Sequence, residues 1–144
     1  MNGRQFVDTN VLLYARDLSE PEKQPTAEAL MRKLWKDRTG RVSAQVLNEY
    51  FVNATQKLKP GLTKAEAWSD VEALFAWEPQ PIDSGLLNEA FSVSGSYGLS
   101  WWDSLIVAAA VAADCEVILS EDLSEGQVYK GIRVINPFRG REKQ

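Results

Sequence analysis

Residues 5–14, Gln5-Phe-Val-Asp-Thr-Asn-Val-Leu-Leu-Tyr14, decide the fold. Three strand-forming residues, Gln5 to Val7, give way at once to the apolar turns Val11, Leu12, Leu13 and Tyr14, with an aspartate and an asparagine at the junction. A strand that passes directly into a helix is the opening of a βαβ unit. Asp8 at such a junction is either a helix cap or a functional group. Asn10 could cap the helix itself and leave Asp8 free.

The same alternation continues outward. Thr26 to Asp37 has helical spacing at Ala29, Leu30, Leu34 and Trp35, with Gly40 as a stop. Arg41 to Ser43 reads as a strand feeding a helix that carries Val46, Leu47, Tyr50, Phe51, Ala54 and Leu58, and that ends before Pro60. Thr63-Lys-Ala-Glu66 is a capping box for a helix reaching about Trp77. Pro79 to Ile82 is extended, and Asp83 caps a helix holding Leu86, Leu87, Ala90 and Phe91. Ser100-Trp-Trp-Asp103 repeats the capping-box pattern ahead of SLIVAAAVAAD, and Glu116–Leu119 and Ile132–Ile135 are buried-strand candidates. Short strands alternating with helices imply an α/β fold, a parallel sheet with helices on both faces. The expected organisation is one domain over residues 1–138, followed by a short basic, mobile tail over 139–144.

Composition narrows the chemistry. The 144 residues include no histidine, which removes Ser-His-Asp and Cys-His catalysis and histidine zinc sites. What remains is carboxylates, hydroxyls, lysine or a bound metal. The single cysteine, Cys115, cannot form an intrachain disulfide and fits a reducing cytoplasm, with an inert core thiol as its default role. No signal peptide opens the sequence, and Leu105 to Ala113, the longest apolar run, is too short to span a bilayer, so no membrane role is expected. The net charge of −4 opposes nucleic-acid binding. Against that, basic residues bunch at Arg32, Lys33, Lys36, Arg38 and Arg41, and again at Lys130, Arg133, Arg139, Arg141 and Lys143. Bound cations would also cancel part of an acidic site.

Ligands of open α/β sheets bind at the carboxyl ends of the strands. Asp8 follows the first strand, and Asp122 follows the strand ending near Leu119. Glu49 lies in the first two turns of the helix leaving Ser43. Asp103 opens a helix antiparallel to the strand it feeds. All four acids therefore fall on one rim. Each also has a plain reading: Asp103 as a helix-start acid, Glu49 as a solvated glutamate, and Asp122 as a turn residue beside Glu121. Trp101 and Trp102 open an apolar helix, where packing is the expectation and base stacking the alternative.

Taken in order, VDTNVLLY, SAQVLNEY, LSWWDSLIVAAA and ILSEDL resemble the PIN-domain ribonucleases, in particular the VapC-type toxins of bacterial toxin–antitoxin pairs. The similarity runs from about Arg4 to Phe138. It implies a PIN-like three-layer α/β/α sandwich with a central, mainly parallel sheet. It also implies an acidic site of Asp8, Glu49, Asp103 and Asp122 supported by Asn10 and Ser120. Further implications are cleavage inside an RNA chain, a cognate antitoxin protein and a homodimer. Two carboxylates about 4 Å apart repel by roughly 4 kcal/mol at an effective dielectric of 20, so four together call for a cation or bound protons. All-oxygen ligands favour Mg²⁺ or Mn²⁺, with Asp8 and Asp103 as principal ligands, Glu49 and Asp122 binding directly or through water, and a metal-activated water as nucleophile. Without metal, repulsion is expected to raise the pKa of at least one acid. Two rivals are a catalytically silent PIN-like module that binds RNA or protein, and an aspartyl-intermediate phosphohydrolase using Asp8. The second acid often found two residues after such a nucleophile is Asn10 here.

Overall fold

The computed structural model describes residues 2–139. Apart from Arg139, the basic tail expected at 139–144 lies outside them. The chain runs β1 (Gln5–Val7), α1 (Thr9–Tyr14), α2 (Lys23–Asp37), β2 (Gly40–Arg41), α3 (Ala44–Gln56), α4 (Lys64–Ala73), α5 (Ser84–Tyr97), α6 (Trp101–Ala112), β3 (Val117–Leu119), β4 (Val128–Tyr129) and β5 (Ile132–Ile135). The sheet order is β2-β1-β3-β5-β4; every pairing is parallel except β4 with β5. Helices α5 and α6 pack on each other and α6 on β3, α1 to α4 pack among themselves, and the sheet lies between as the middle of an α/β/α sandwich.

The two central strands explain the apolar runs. Phe6 and Val7 of β1 and Ile118 and Leu119 of β3 are buried, because helices cover both faces of the sheet there. Helix α6 is apolar nearly all round for the same reason: Leu105 through Ala110 are all buried between α5 and the sheet.

Several boundaries depart from the sequence reading. Helix α2 begins at Lys23, three residues before Thr26, because Pro25 sits in the first turn, where no amide partner is needed. It ends at Arg38, which takes the left-handed conformation (φ 59°), and not at Gly40. Gly40 belongs to β2, and its role is close approach: a Cβ there would meet the Trp77 ring at 2.4 Å. The helix expected to reach Trp77 stays α-helical only to Ala73 and tightens into a 3₁₀ turn over Leu74–Trp77. The extended Pro79–Ile82 segment contributes one parallel bridge, Ser43 to Gln80. Strand β4 was not apparent in the sequence. It is two residues long, and Lys130 (φ 52°) and Gly131 (φ 82°) turn it into β5; two successive positive φ angles mark a tight hairpin turn.

The Gly40–Trp77 contact locks β2, from which α3 and Glu49 depart. Gly40→Ala is expected to cost about 1–3 kcal/mol through overpacking against a ring that is 3% exposed. Urea denaturation measures this, and unchanged stability would mean that Trp77 has room to move.

Candidate functional site

Asp8 is placed by β1. Its backbone amide donates to the Leu119 carbonyl at 3.0 Å, continuing the parallel ladder one step past Val7. Its side chain caps α1: Oδ1 accepts from the Thr9 amide at 2.7 Å, while Oδ2 accepts from the Ser120 hydroxyl at 2.7 Å. Asp8 is therefore the cap, and Asn10, proposed above as an alternative cap, lies inside the helix. Asn10 instead spans the gap to the loop after β3. Its Nδ2 donates to Asp122 at 3.2 Å, and its Oδ1 accepts from the Glu121 amide at 3.1 Å. Ser120 is fully buried. Besides donating to Asp8, its oxygen accepts from the amides of Asp122 (3.1 Å) and Leu123 (3.2 Å), so one hydroxyl folds the loop and holds the carboxylate.

That loop also separates the two neighbouring acids. Glu121 accepts from the Tyr14 hydroxyl at 2.6 Å and pairs with Lys23 at 2.7 Å. Asp122 is exposed and lines the cavity.

Helix α3 starts at Ser43, whose hydroxyl caps the Val46 amide, and brings Glu49 to the same place. Both Glu49 oxygens are engaged, Oε1 by the Thr9 hydroxyl at 2.7 Å and Oε2 by the Gln45 amide at 3.1 Å. Helix α6 brings Asp103. Only half of the expected capping box forms there: Ser100 accepts from the Asp103 amide at 3.1 Å, with no reciprocal bond from the carboxylate. In α4 both halves form between Thr63 and Glu66. Glu66 has the extra methylene needed to reach back, whereas the Asp103 carboxylate is left facing a cavity.

That cavity, about 260 Å³, is lined by Asp8, Glu49, Asp103 and Asp122. Thr9, Asn10, Gln45, Asn53 and Trp102 complete its polar and aromatic wall, and Leu13 and Ile106 its apolar part. All four acids singled out in the sequence, and Asn10, thus meet at one site. The sequence from residue 6 to residue 129 matches the PIN domain. The chain belongs to the PIN-domain family.

Solved structures share this PIN fold at low identity. A toxin–antitoxin complex from Klebsiella pneumoniae superposes with a TM-score of 0.65 at 16% identity, over 92% of this chain and 97% of that one. A sarcin–ricin-loop-cleaving VapC toxin from Mycobacterium tuberculosis gives 0.63 at 17%, over 90% and 98%. A VapBC pair from Rickettsia felis, bound to a DNA fragment from its promoter, gives 0.63 at 17%, over 92% and 97%. No curated protein matches this PIN domain in sequence.

Sequence reasoning passed over Thr9 and Gln45. Both act through Glu49, and the available signal was spacing, since Gln45 precedes Glu49 by four residues on one helix face. Packing is the expectation for the tryptophans, and Trp102 departs from it more than Trp101 does. Trp101 and Trp102 are 39% and 64% exposed, because α6 begins at the open edge of the sheet, before its apolar residues meet α5. Of the first basic cluster, Arg32 pairs with Glu28 and Lys33 with Asp37 along the exposed face of α2. Among the described residues, no helix is long and apolar enough to cross a membrane.

The electrostatics carry the expected sign for a different main reason. Asp8 is 8% exposed, and burial lifts its carboxyl from 3.8 to about 6. The hydrogen bonds from Ser120 and Thr9 pull it down, and repulsion from Asp122 and Glu49 adds a smaller upward push. Loss of water therefore dominates over crowding of like charge. The donor set is all oxygen, which suits a hard divalent cation, and a cation would relieve the cost of an ionised Asp8. Among the described residues, no three His, Cys, Asp or Glu side chains stand close enough together to hold a metal ion as they are placed.

A raised carboxyl holds its proton longer in the folded than in the unfolded chain. Its stabilising contribution is complete below about pH 3.8 and is lost as pH rises through about 6. The difference is worth about 3 kcal/mol across that window. In chelator, the wild-type protein is expected to weaken along this slope, while Asp8→Asn, which cannot ionise, shows a flatter one. Urea denaturation across the window compares the two; parallel curves would place the titration elsewhere.

Proposed function

We propose that this PIN domain is a divalent-metal-dependent endoribonuclease and the toxin of a bacterial toxin–antitoxin pair. The observation that carries the reading is the meeting of four carboxylates from four separate chain segments on one cavity, with the most buried of them, Asp8, held by Ser120. Burying an ionisable carboxylate, as at Asp8, costs stability, which marks a functional site more than a structural one. The likeness to structures described as toxin–antitoxin complexes and as an RNA-cleaving toxin supports the biological role.

Asp8 and Asp103 would hold Mg²⁺ or Mn²⁺, with Glu49 and Asp122 contributing directly or through water. When bound, the ion supplies positive charge against the phosphodiester and activates water. The chain's own groups prepare that site. Ser120 and the Thr9 amide fix the Asp8 carboxylate in one rotamer. Thr9 and Gln45 fix Glu49, and Asn10 sets the distance between α1 and Asp122. An antitoxin would silence the enzyme by covering this acidic opening; an arginine from the partner matches a carboxylate pair and replaces the cation's charge. A homodimer and a cytoplasmic location complete the reading.

Asp8→Asn and Asp103→Asn are expected to abolish cleavage of RNA with Mn²⁺ while circular dichroism stays native, since burial already favours an uncharged group at Asp8. Ser120→Ala should lower activity by about 10–100-fold, the usual cost of removing a group that orients a metal ligand. Expression of the chain alone should slow bacterial growth, and expression of Asp8→Asn should not. Equal turnover by wild type and both aspartate variants, in preparations free of contaminating nuclease, would rule out the site. An active enzyme that is harmless when overproduced would remove the toxin role alone.

A further inference from the structure

Trp102 leaves 64% of its surface to solvent while lining the acidic cavity, one residue before Asp103. Successive helix residues project about 100° apart, and the neighbouring Trp101 does not line the cavity. The exposed indole belongs to an anchored residue. Gln45, buried on α3, donates its side-chain amide to the Trp102 carbonyl at 3.4 Å and to Glu49 at 3.1 Å. On the same helix Gln45, Glu49 and Asn53 follow at intervals of four and all line the cavity. Asn53 offers there an amide with both donor and acceptor atoms.

The charge of the cavity restricts what can occupy this corner. Phosphates are repelled by the carboxylates, and so is an acidic peptide. A neutral planar group gains contact with the indole face and meets no such repulsion. Single-stranded RNA presents such groups at every residue, and its recognition rests on splayed bases stacked on aromatic side chains and hydrogen-bonded along their edges. We propose that Trp102 and Asn53 form a nucleobase subsite. The base of a nucleotide adjoining the scissile phosphate stacks on Trp102, and its edge meets the Asn53 amide. The inference rests on the proposed ribonuclease reading and adds a residue that grips substrate without taking part in the chemistry.

The test uses fluorescein-labelled single-stranded RNA of mixed sequence. Its affinity is measured by anisotropy on Asp8→Asn protein, and its cleavage by the otherwise wild-type enzyme with Mn²⁺. Trp102→Ala should raise both the dissociation constant and KM by about 5–150-fold, the usual effect of removing one base-stacking aromatic, with kcat little changed. Trp102→Phe should recover most of the affinity, and Trp101→Ala should match its parent. Adenosine or uridine monophosphate should quench tryptophan emission in the parent but not in Trp102→Phe, and ribose 5-phosphate should quench neither. Unchanged RNA affinity in Trp102→Ala overturns the subsite, as does an equal loss in Trp101→Ala. So does weakened binding of the antitoxin alone, which would give the indole to a protein partner. RNA that is bound through Trp102 but never cut overturns the nuclease reading and leaves the subsite standing.

Discussion

The parallel register of β1 on β3 is the constraint on which the site depends. Pairing Val7 with Leu119 puts the next residue of each strand, Asp8 and Ser120, level with one another at the carboxyl edge. The Asp8 amide completes the ladder to Leu119, and the Ser120 hydroxyl completes it on the side-chain level by donating to the carboxylate. A slip of one residue would turn Phe6 and Ile118 from one face of the sheet to the other, and the carboxylate would lose its partner. The core thus fixes the chemistry indirectly. Strands buried on both faces tolerate a single register, and that register sets where two polar groups meet beyond their ends.

Glu49, Asp122 and the start of α6 are attached to this pair by short links. The Thr9 hydroxyl carries the position of Asp8 to Glu49 on α3, Gln45 carries it from Glu49 to the backbone of α6, and Asn10 carries it to Asp122. Acids from distant parts of the chain are therefore tied together through neutral amides and hydroxyls. A carboxylate can accept hydrogen bonds from such groups in either charge state, whereas direct contact between two ionised carboxylates would be repulsive. The links set neutral groups around Asp8, Glu49 and Asp122, and among the described residues no three acids stand close enough together to hold a metal ion.

The parts of this arrangement that were legible in the sequence are those set by local rules. Strands β1 and β3, the caps at Thr63, Asp83 and Ser100, and the carboxyl-edge rule were enough to bring Asp8, Glu49, Asp103 and Asp122 to one edge. What escaped depends on contacts distant in sequence. Gly40 looks like a helix stop until Trp77 is seen against it. Trp101 and Trp102 look like core until the open start of α6 is seen. Glu121 and Asp122 cannot be told apart until Lys23 and Tyr14 engage the first of them. Strand β4 has only two residues, too few for a period of two to show.

The acidic total of the chain then takes on a specific meaning. Lys23 is committed to Glu121, Arg16 to Asp70, Arg32 to Glu28 and Lys33 to Asp37. Of these, Lys23 lies nearest the acidic edge, and its charge is already matched by a carboxylate. A strand of RNA approaching the cavity would find few unmatched positive charges from these side chains, so they give little electrostatic reason for it to bind. Under the proposed reading, the divalent ion adds attraction for phosphate at the cavity itself, and neutral groups on the wall add further grip. Affinity at the scissile phosphate and competence for cleavage would then both gain as the ion binds. A protein that gathered RNA on a broad basic surface would separate the two, holding strands that it could not cut. Under the proposed reading, concentrating negative charge at the cavity would tie cleavage to the state in which the ion fills it.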